Sequence, residues 1–164
     1  MKSVLRVPLK VLILISILYS CNKKDKIERS EYEEKSNTFS FYNKEFINAN
    51  KIENLKKTIE IKGDTIAFLE LEEIYFNSGH RDEFLYYAIF MANAYDYSGA
   101  YYTCYKILHT DFGKEKYKMN DKLANYYLLK ANEKGSKSST YNIKERFPNG
   151  KIPSSEEYWK SIIK

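Results

Sequence analysis

The chain has 164 residues and a net charge of +5, but residues 1–20 hold three of its cations (Lys2, Arg6, Lys10) and no acid, leaving +2 for the remaining 144. A body so close to neutral gives no electrostatic case for nucleic acid, and two cysteines give no disulfide framework. The length left after residue 20 suits one domain with room for a core.

The first element is the apolar run Val11–Tyr19, preceded by the three cations and followed by Ser20, Cys21 and lysines. That is the layout of a secretory signal, and it falls well short of the roughly 20 apolar residues that span a bilayer. Leu18-Tyr19-Ser20-Cys21 resembles the lipobox of bacterial lipoproteins. The resemblance implies cleavage after residue 20, a diacylglyceryl thioether on Cys21 and palmitate-type acylation of the new N-terminus. It implies a membrane-anchored protein of the bacterial cell envelope. Asn22 stands where many inner-membrane lipoproteins carry aspartate, which favours the outer membrane. An ordinary cleaved signal with an incidental Cys21 is the alternative. Residues 21–43, charged and poor in apolar side chains at first, are expected to form the lipidated N-terminus and a flexible tether, with a marginal helix as the alternative.

A helical domain is expected over 44–164. Ile52, Leu55 and Ile59 form one stripe ending at Lys62-Gly63; Asp64 then caps a helix with Ala67, Phe68, Leu71, Ile74 and Tyr75 on one face. Asn77-Ser78-Gly79 stops it. Over Asp82–Tyr95 two stripes appear, Leu85/Ala88/Ile89/Ala92/Tyr95 and Phe84/Tyr87/Met91/Ala94. A helix apolar around most of its circumference is expected at the centre of a domain. Tyr101, Cys104, Tyr105 and Leu108 share the next stripe, which assigns Cys104 to the core as a small apolar side chain. A loop is expected over His109–Met119, then a helix capped by Asn120 or Asp121, carrying Ala124, Tyr127, Leu128 and Ala131 and closed by Gly135. A short helix over 138–147 must end before Pro148. Ser154 and Glu157 have capping-box spacing at the start of a last helix, where Trp159, Ile162 and Ile163 are expected to dock. No strand-like alternation appears, so the fold class is all-α.

Residues 84–106 laid over 123–145, an offset of 39, match Tyr87 with Tyr126, Ala92 with Ala131, Asn93 with Asn132 and Tyr102 with Tyr141. A two-helix unit of that period is the grammar of a helical-hairpin array. Tyr126-Tyr127-Leu128-Leu129-Lys130-Ala131-Asn132-Glu133-Lys134-Gly135 resembles the core of a Sel-one-like repeat, a relative of the tetratricopeptide repeat; Ala131 and Gly135 match its small positions, whereas Asp96 replaces the glycine in the preceding copy. The resemblance covers roughly residues 64–147. It implies a short α-solenoid of antiparallel helical hairpins and a scaffold for protein contacts.

No phosphate loop or nucleophile elbow occurs. His80-Arg81-Asp82-Glu83 lacks the spacing that sets two imidazoles on one helix face, so His80 is expected as an exposed turn residue and no metal or cofactor is expected. Glu70, Glu72 and Glu73 read as the solvated side of a helix. With 16 tyrosines in the chain, tyrosines lying off the apolar stripes are candidates for a partner groove: Tyr86, Tyr102, Tyr126 and Tyr141. The expected function is a lipid-anchored envelope protein whose helical repeat domain mediates protein–protein interaction, with no catalytic residues. The alternatives are an immunity or inhibitor lipoprotein against an exported toxin, and an envelope hydrolase built on carboxylate pairs.

Overall fold

The computed structural model describes residues 37–109 and 118–164. The expected signal segment, Cys21, the tether up to residue 36 and most of the expected loop after His109 lie outside the described residues. The chain divides into two units between Phe41 and Tyr42. In the first, residues 37–41 are helical. The second, Tyr42–Lys164, carries the rest of the described elements. The end of the stretch expected as a tether, 37–43, is thus helical.

The described residues are all-α, with no strand among them. After the helical stretch 37–46 (α1) come α2 (Ala49–Lys62), α3 (Thr65–Asn77), a 3-10 turn (Arg81–Phe84), α4 (Leu85–Tyr95) and α5 (Ser98–Leu108). Then follow α6 (Lys118–Glu133), a second 3-10 turn (Lys137–Ser139), α7 (Thr140–Arg146) and α8 (Ser155–Ile162). Among the described residues no helix is long and apolar enough to cross a membrane.

The punctuation follows from side-chain chemistry. Asn48 accepts from the Lys51 amide at 3.2 Å and opens α2. Asp64 accepts from the amides of Ile66 and Ala67 at 2.8 and 2.9 Å and opens α3, satisfying donors that have no partner within the helix. At α8 the full capping box forms between Ser154 and Glu157. The start of α6 departs from expectation. It begins at Lys118, and Asp121 sits inside its first turn instead of capping it, where the helix dipole favours an acid.

Among the described residues five connections pass through a positive φ: Gly63 between α2 and α3 (61°), Gly79 between α3 and α4 (84°), Asp96 between α4 and α5 (53°), Gly135 between α6 and α7 (76°) and Gly150 between α7 and α8 (72°). For a residue with a Cβ that conformation costs about 1–2 kcal/mol. Asp96 offsets it with its carboxylate, which accepts from the Tyr101 hydroxyl at 3.0 Å and pairs with Lys134. The cation holds its carboxyl below the usual range.

One continuous core runs through the second unit. All the predicted stripe residues of α3 and α5 are buried, as are Ala124, Tyr127, Leu128 and Ala131 of α6. Cys104 is fully buried, and burial pushes its thiol up to about 12. The centre of the domain is α5, not α4. Seven of the eleven residues of α5 are buried, against three of eleven in α4, because α5 packs along α6 on one side and meets α4 on the other. The single buried stripe of α4 draws Ala88 and Ala92 from one predicted stripe and Met91 from the other, while Tyr95 and Ala94 are exposed.

The last helix also docks differently. Trp159 and Ile163 are exposed and Ile162 half-buried; Ser155 is the buried residue. Its amide and hydroxyl both donate to Glu133, each at 2.6 Å, and Asn125 donates to the Tyr158 hydroxyl at 3.3 Å. Trp159 does rest on Tyr126, with centroids 5.2 Å apart, so polar anchoring adds to a partial apolar docking of α8.

Candidate functional site

The outward face of α4 is the most distinctive surface of the second unit. Leu85–Tyr95 contains no charged residue, so what this helix leaves unburied is aromatic and aliphatic surface apart from the exposed amide of Asn93. Tyr86, 59% exposed, stacks on Phe90 with centroids 6.3 Å apart, and Phe90 meets Tyr95 edge-on at 6.0 Å. Tyr86 also meets Tyr87 edge-on at 5.0 Å. Such edge and offset geometries suit aromatic quadrupoles and hold the rings in a defined row.

Helix α2 fixes both ends of that row. The Tyr95 hydroxyl donates to the Glu60 carbonyl at 3.0 Å, and its ring lies across Gly63, where an added Cβ would meet it at 2.3 Å. The Lys56 ammonium lies over the Tyr87 ring, 5.6 Å from the centroid. Burial raises the pKa of the Tyr87 phenol. Separately, α2 and α3 border an open groove of about 540 Å³ lined by Asn54, Leu55, Thr58, Ile66, Ala67 and Glu70.

The four tyrosines proposed from the sequence do not converge. Tyr86 belongs to the α4 row. Tyr141, 75% exposed, stands on α7 with no ring neighbour among the described residues. Tyr102 is half-buried, leans on Tyr105 and donates its hydroxyl to Asn142 at 2.9 Å. Tyr126 is half-buried against Trp159, centroids 5.2 Å apart. No ring contact joins any two of the four. Of the residues that connect Tyr86 to α2, Phe90 escaped the sequence reading and Tyr95 was assigned to a core stripe; the signal that could have found the row is the absence of any charge over a whole helix.

Two polar groups differ from expectation. His80 is not a free turn residue: it is half-buried, its ring stacked on Phe46 at 3.7 Å and its Nδ1 3.0 Å from the Ser78 carbonyl. With Arg81, Asp82 and Glu83 it edges a hollow of about 250 Å³, but no three His, Cys, Asp or Glu side chains gather to hold a metal among the described residues. Glu72 is not on the solvated side. Its side chain is 13% exposed and accepts from Lys106 at 2.6 Å and from the buried Thr103 hydroxyl at 2.8 Å. The Lys106 ammonium in turn lies over Phe76, 4.7 Å from the centroid. Glu72 therefore ties α3 to α5 through its Oε1, which accepts from both Thr103 and Lys106.

A third cluster joins the ends of α5, α6 and α7. Arg146 donates to Asp121 at 2.9 Å and approaches His109 Nε2 at 2.9 Å, while His109 Nδ1 lies 2.9 Å from Asp121. The same guanidinium nitrogen also lies against His109 Nδ1, so it meets the imidazole at both ring nitrogens. Tyr105 stacks flat on His109 at 5.2 Å. Burial works against the Arg146 charge, but Tyr105 and Asp121 outweigh it and its pKa is raised. The Tyr105 hydroxyl itself is buried without reaching hydrogen-bond geometry. Chemically this is a clamp between helix ends: a cation, an anion and an imidazole already satisfying one another.

Cys21 lies outside the described residues. The chain matches no family model, no curated protein and no solved structure.

Proposed function

We propose that this is a lipid-anchored envelope protein whose helical domain, a short array of hairpins, grips a protein partner through the outward face of α4. The observation that carries the reading is the aromatic row Tyr86–Phe90–Tyr95 on a helix without a charge. Rigid aromatic side chains with a polar tip give a large contact area at low entropic cost, and they are enriched at protein interfaces.

The array reading is supported by register. Asp96 and Gly135, thirty-nine residues apart, are both left-handed turn residues. Ala67, Phe68, Leu71, Ile74 and Tyr75 correspond, thirty-three residues on, to Ala100, Tyr101, Cys104, Ile107 and Leu108, and all ten are buried. On this reading α2 and α3 form a first hairpin instead of a cap, giving the three units that such arrays need. The anchor rests on Leu18-Tyr19-Ser20-Cys21 following the apolar run; a diacyl cysteine supplies the two chains that stable membrane attachment takes.

A photo-crosslinking side chain placed at Tyr86 or Phe90 in intact cells should yield one discrete protein adduct. The same probe at Glu53, on α2 and pointing to solvent, should not. Adducts that are equal at all three positions, or absent at Tyr86 and Phe90, would overturn the α4 reading. The mass of the mature N-terminus tests the anchor separately, since an unmodified Cys21 removes it.

A further inference from the structure

We infer that α8 is a self-association surface and that its partner is a second copy of this chain. The helix is docked on one side only. Ser155 is anchored to Glu133, and Tyr158 meets Phe147 edge-on at 6.2 Å. The adjoining face carries Glu156, Trp159, Lys160 and Ile163, with Trp159 39% and Ile163 61% exposed. Tyr126 of α6 continues this apolar strip beneath the indole.

Charge identifies the occupant. The acids of the helix, Glu156 and Glu157, are in its first turn; its base, Lys160, is in its last turn, and Lys164 follows its end. An isologous contact needs a surface complementary to its own image under a two-fold rotation. Two α8 helices lying antiparallel meet that need, because the acidic end of each faces the basic end of the other and the two helix dipoles oppose. Trp159 lies between Glu156 and Lys160, and Ile163 between Lys160 and Lys164. A partner of uniform charge would meet repulsion at one end of the strip. The Glu156–Lys160 pair within one helix is no obstacle, since it is fully solvated and such pairs exchange partners at little cost.

Trp159 is the only tryptophan in the chain, so its emission reads this surface directly. The full chain in mild detergent should dimerise with rising concentration, with the Trp159 emission shifting to the blue in step with the mass from sedimentation. Glu156→Lys alone and Lys160→Glu alone should each remain monomeric, because each sets like charges against its copy. Mixing the two single variants should restore the dimer. The double variant Glu156→Lys/Lys160→Glu, whose charges are exchanged, should also dimerise. Circular dichroism shows that each variant keeps its helices. A chain that is monomeric throughout, with an emission indifferent to concentration, overturns the inference. So does association that survives both single reversals and Trp159→Ala, because it then runs through another face.

Discussion

Helices α4 and α5 are both eleven residues long and adjacent in the chain, and α4 is the more apolar of the two. Yet α5 is the buried one. Composition says how much surface a helix would gain by leaving water, but neighbours decide how much actually leaves. Helix α5 is packed along α6, touches α4 and is tied to α3 through Glu72. Helix α4 has α5 behind it and α2 beside it, and its remaining apolar surface stays outside. An apolar helix that is not buried marks a place where something else is expected to bind.

The largest effect that separates the two helices is alkaline. Burial, with Asp96 adding to it at Tyr101, pushes the phenols of Tyr101 on α5 and Tyr127 on α6 from 10.0 up to about 12, and burial raises the Cys104 thiol from 9.0 to about 12. A group that holds its proton more tightly in the fold favours folding below its unfolded pKa and loses that contribution as pH climbs towards the folded value. A two-unit shift corresponds to about 3 kcal/mol. The domain should therefore keep a constant melting temperature up to about pH 9 and unfold as the pH approaches 12. The tyrosinate absorbance of Tyr101 and Tyr127 should rise together with the loss of helix. Ionisation of both below pH 10, with the helices intact, would show that α5 is not the sealed centre described here.

Within α4 the contrast can be made residue by residue. Met91 is fully buried, so Met91→Ala removes packed atoms from a site with limited room to collapse and should cost about 2–5 kcal/mol in denaturant unfolding. A cost below about 1 kcal/mol would mean that α4 is as loosely held on its inner face as on its outer one.

The turns provide a smaller, cleaner comparison. Gly63 and Gly135 are both left-handed, but an added Cβ at Gly135 meets nothing within 4 Å, whereas at Gly63 it meets the Tyr95 ring at 2.3 Å. Gly135→Ala should cost the backbone term alone, about 1–2 kcal/mol. Gly63→Ala should cost more, because it also displaces Tyr95 from the Glu60 carbonyl. Equal costs for the two would show that the α2–α4 contact through Tyr95 contributes nothing to stability.

What could be read from the sequence divides along the same line as α4 and α5. Local rules worked where the determinants are local: Asp64 and the Ser154–Glu157 box are capping chemistry within four residues, and the stripes of α3 and α5 are period and polarity. The reading failed where the answer lies across the fold. Nothing near Glu72 in sequence announces Lys106, thirty-four residues on, and nothing near His80 announces Phe46. The start of α6 was misplaced because Asn120 and Asp121 look like caps, while acids are equally at home in a first turn. For the candidate site, Tyr86 was legible as lying off the apolar stripes, but the row it belongs to was not. Phe90 and Tyr95 each look like core residues until it is known which side of α4 has no neighbour. Ile163 was misjudged for the same reason, 61% exposed although Trp159 beside it rests on Tyr126: an apolar side chain on a terminal helix does not say whether it faces inward.

The smallest effect on stability bears most on function. Tyr86 is 59% exposed and touches only Tyr87 and Phe90 through its ring. Tyr86→Ala should leave the unfolding free energy within about 0.5 kcal/mol of the parent. If the α4 face is a docking surface, the same change should weaken partner capture by a factor of ten or more, because truncating a central aromatic contact typically costs about 2 kcal/mol of binding. Tyr141→Ala, at an even more exposed tyrosine without a ring neighbour, should change neither quantity. This pairing separates docking from mere exposure. If both substitutions leave capture intact, the α4 row is only the apolar remainder of a helix with too few neighbours. If Tyr86→Ala lowers stability as Met91→Ala does, the outer face of α4 is part of the core and the contrast with α5 disappears.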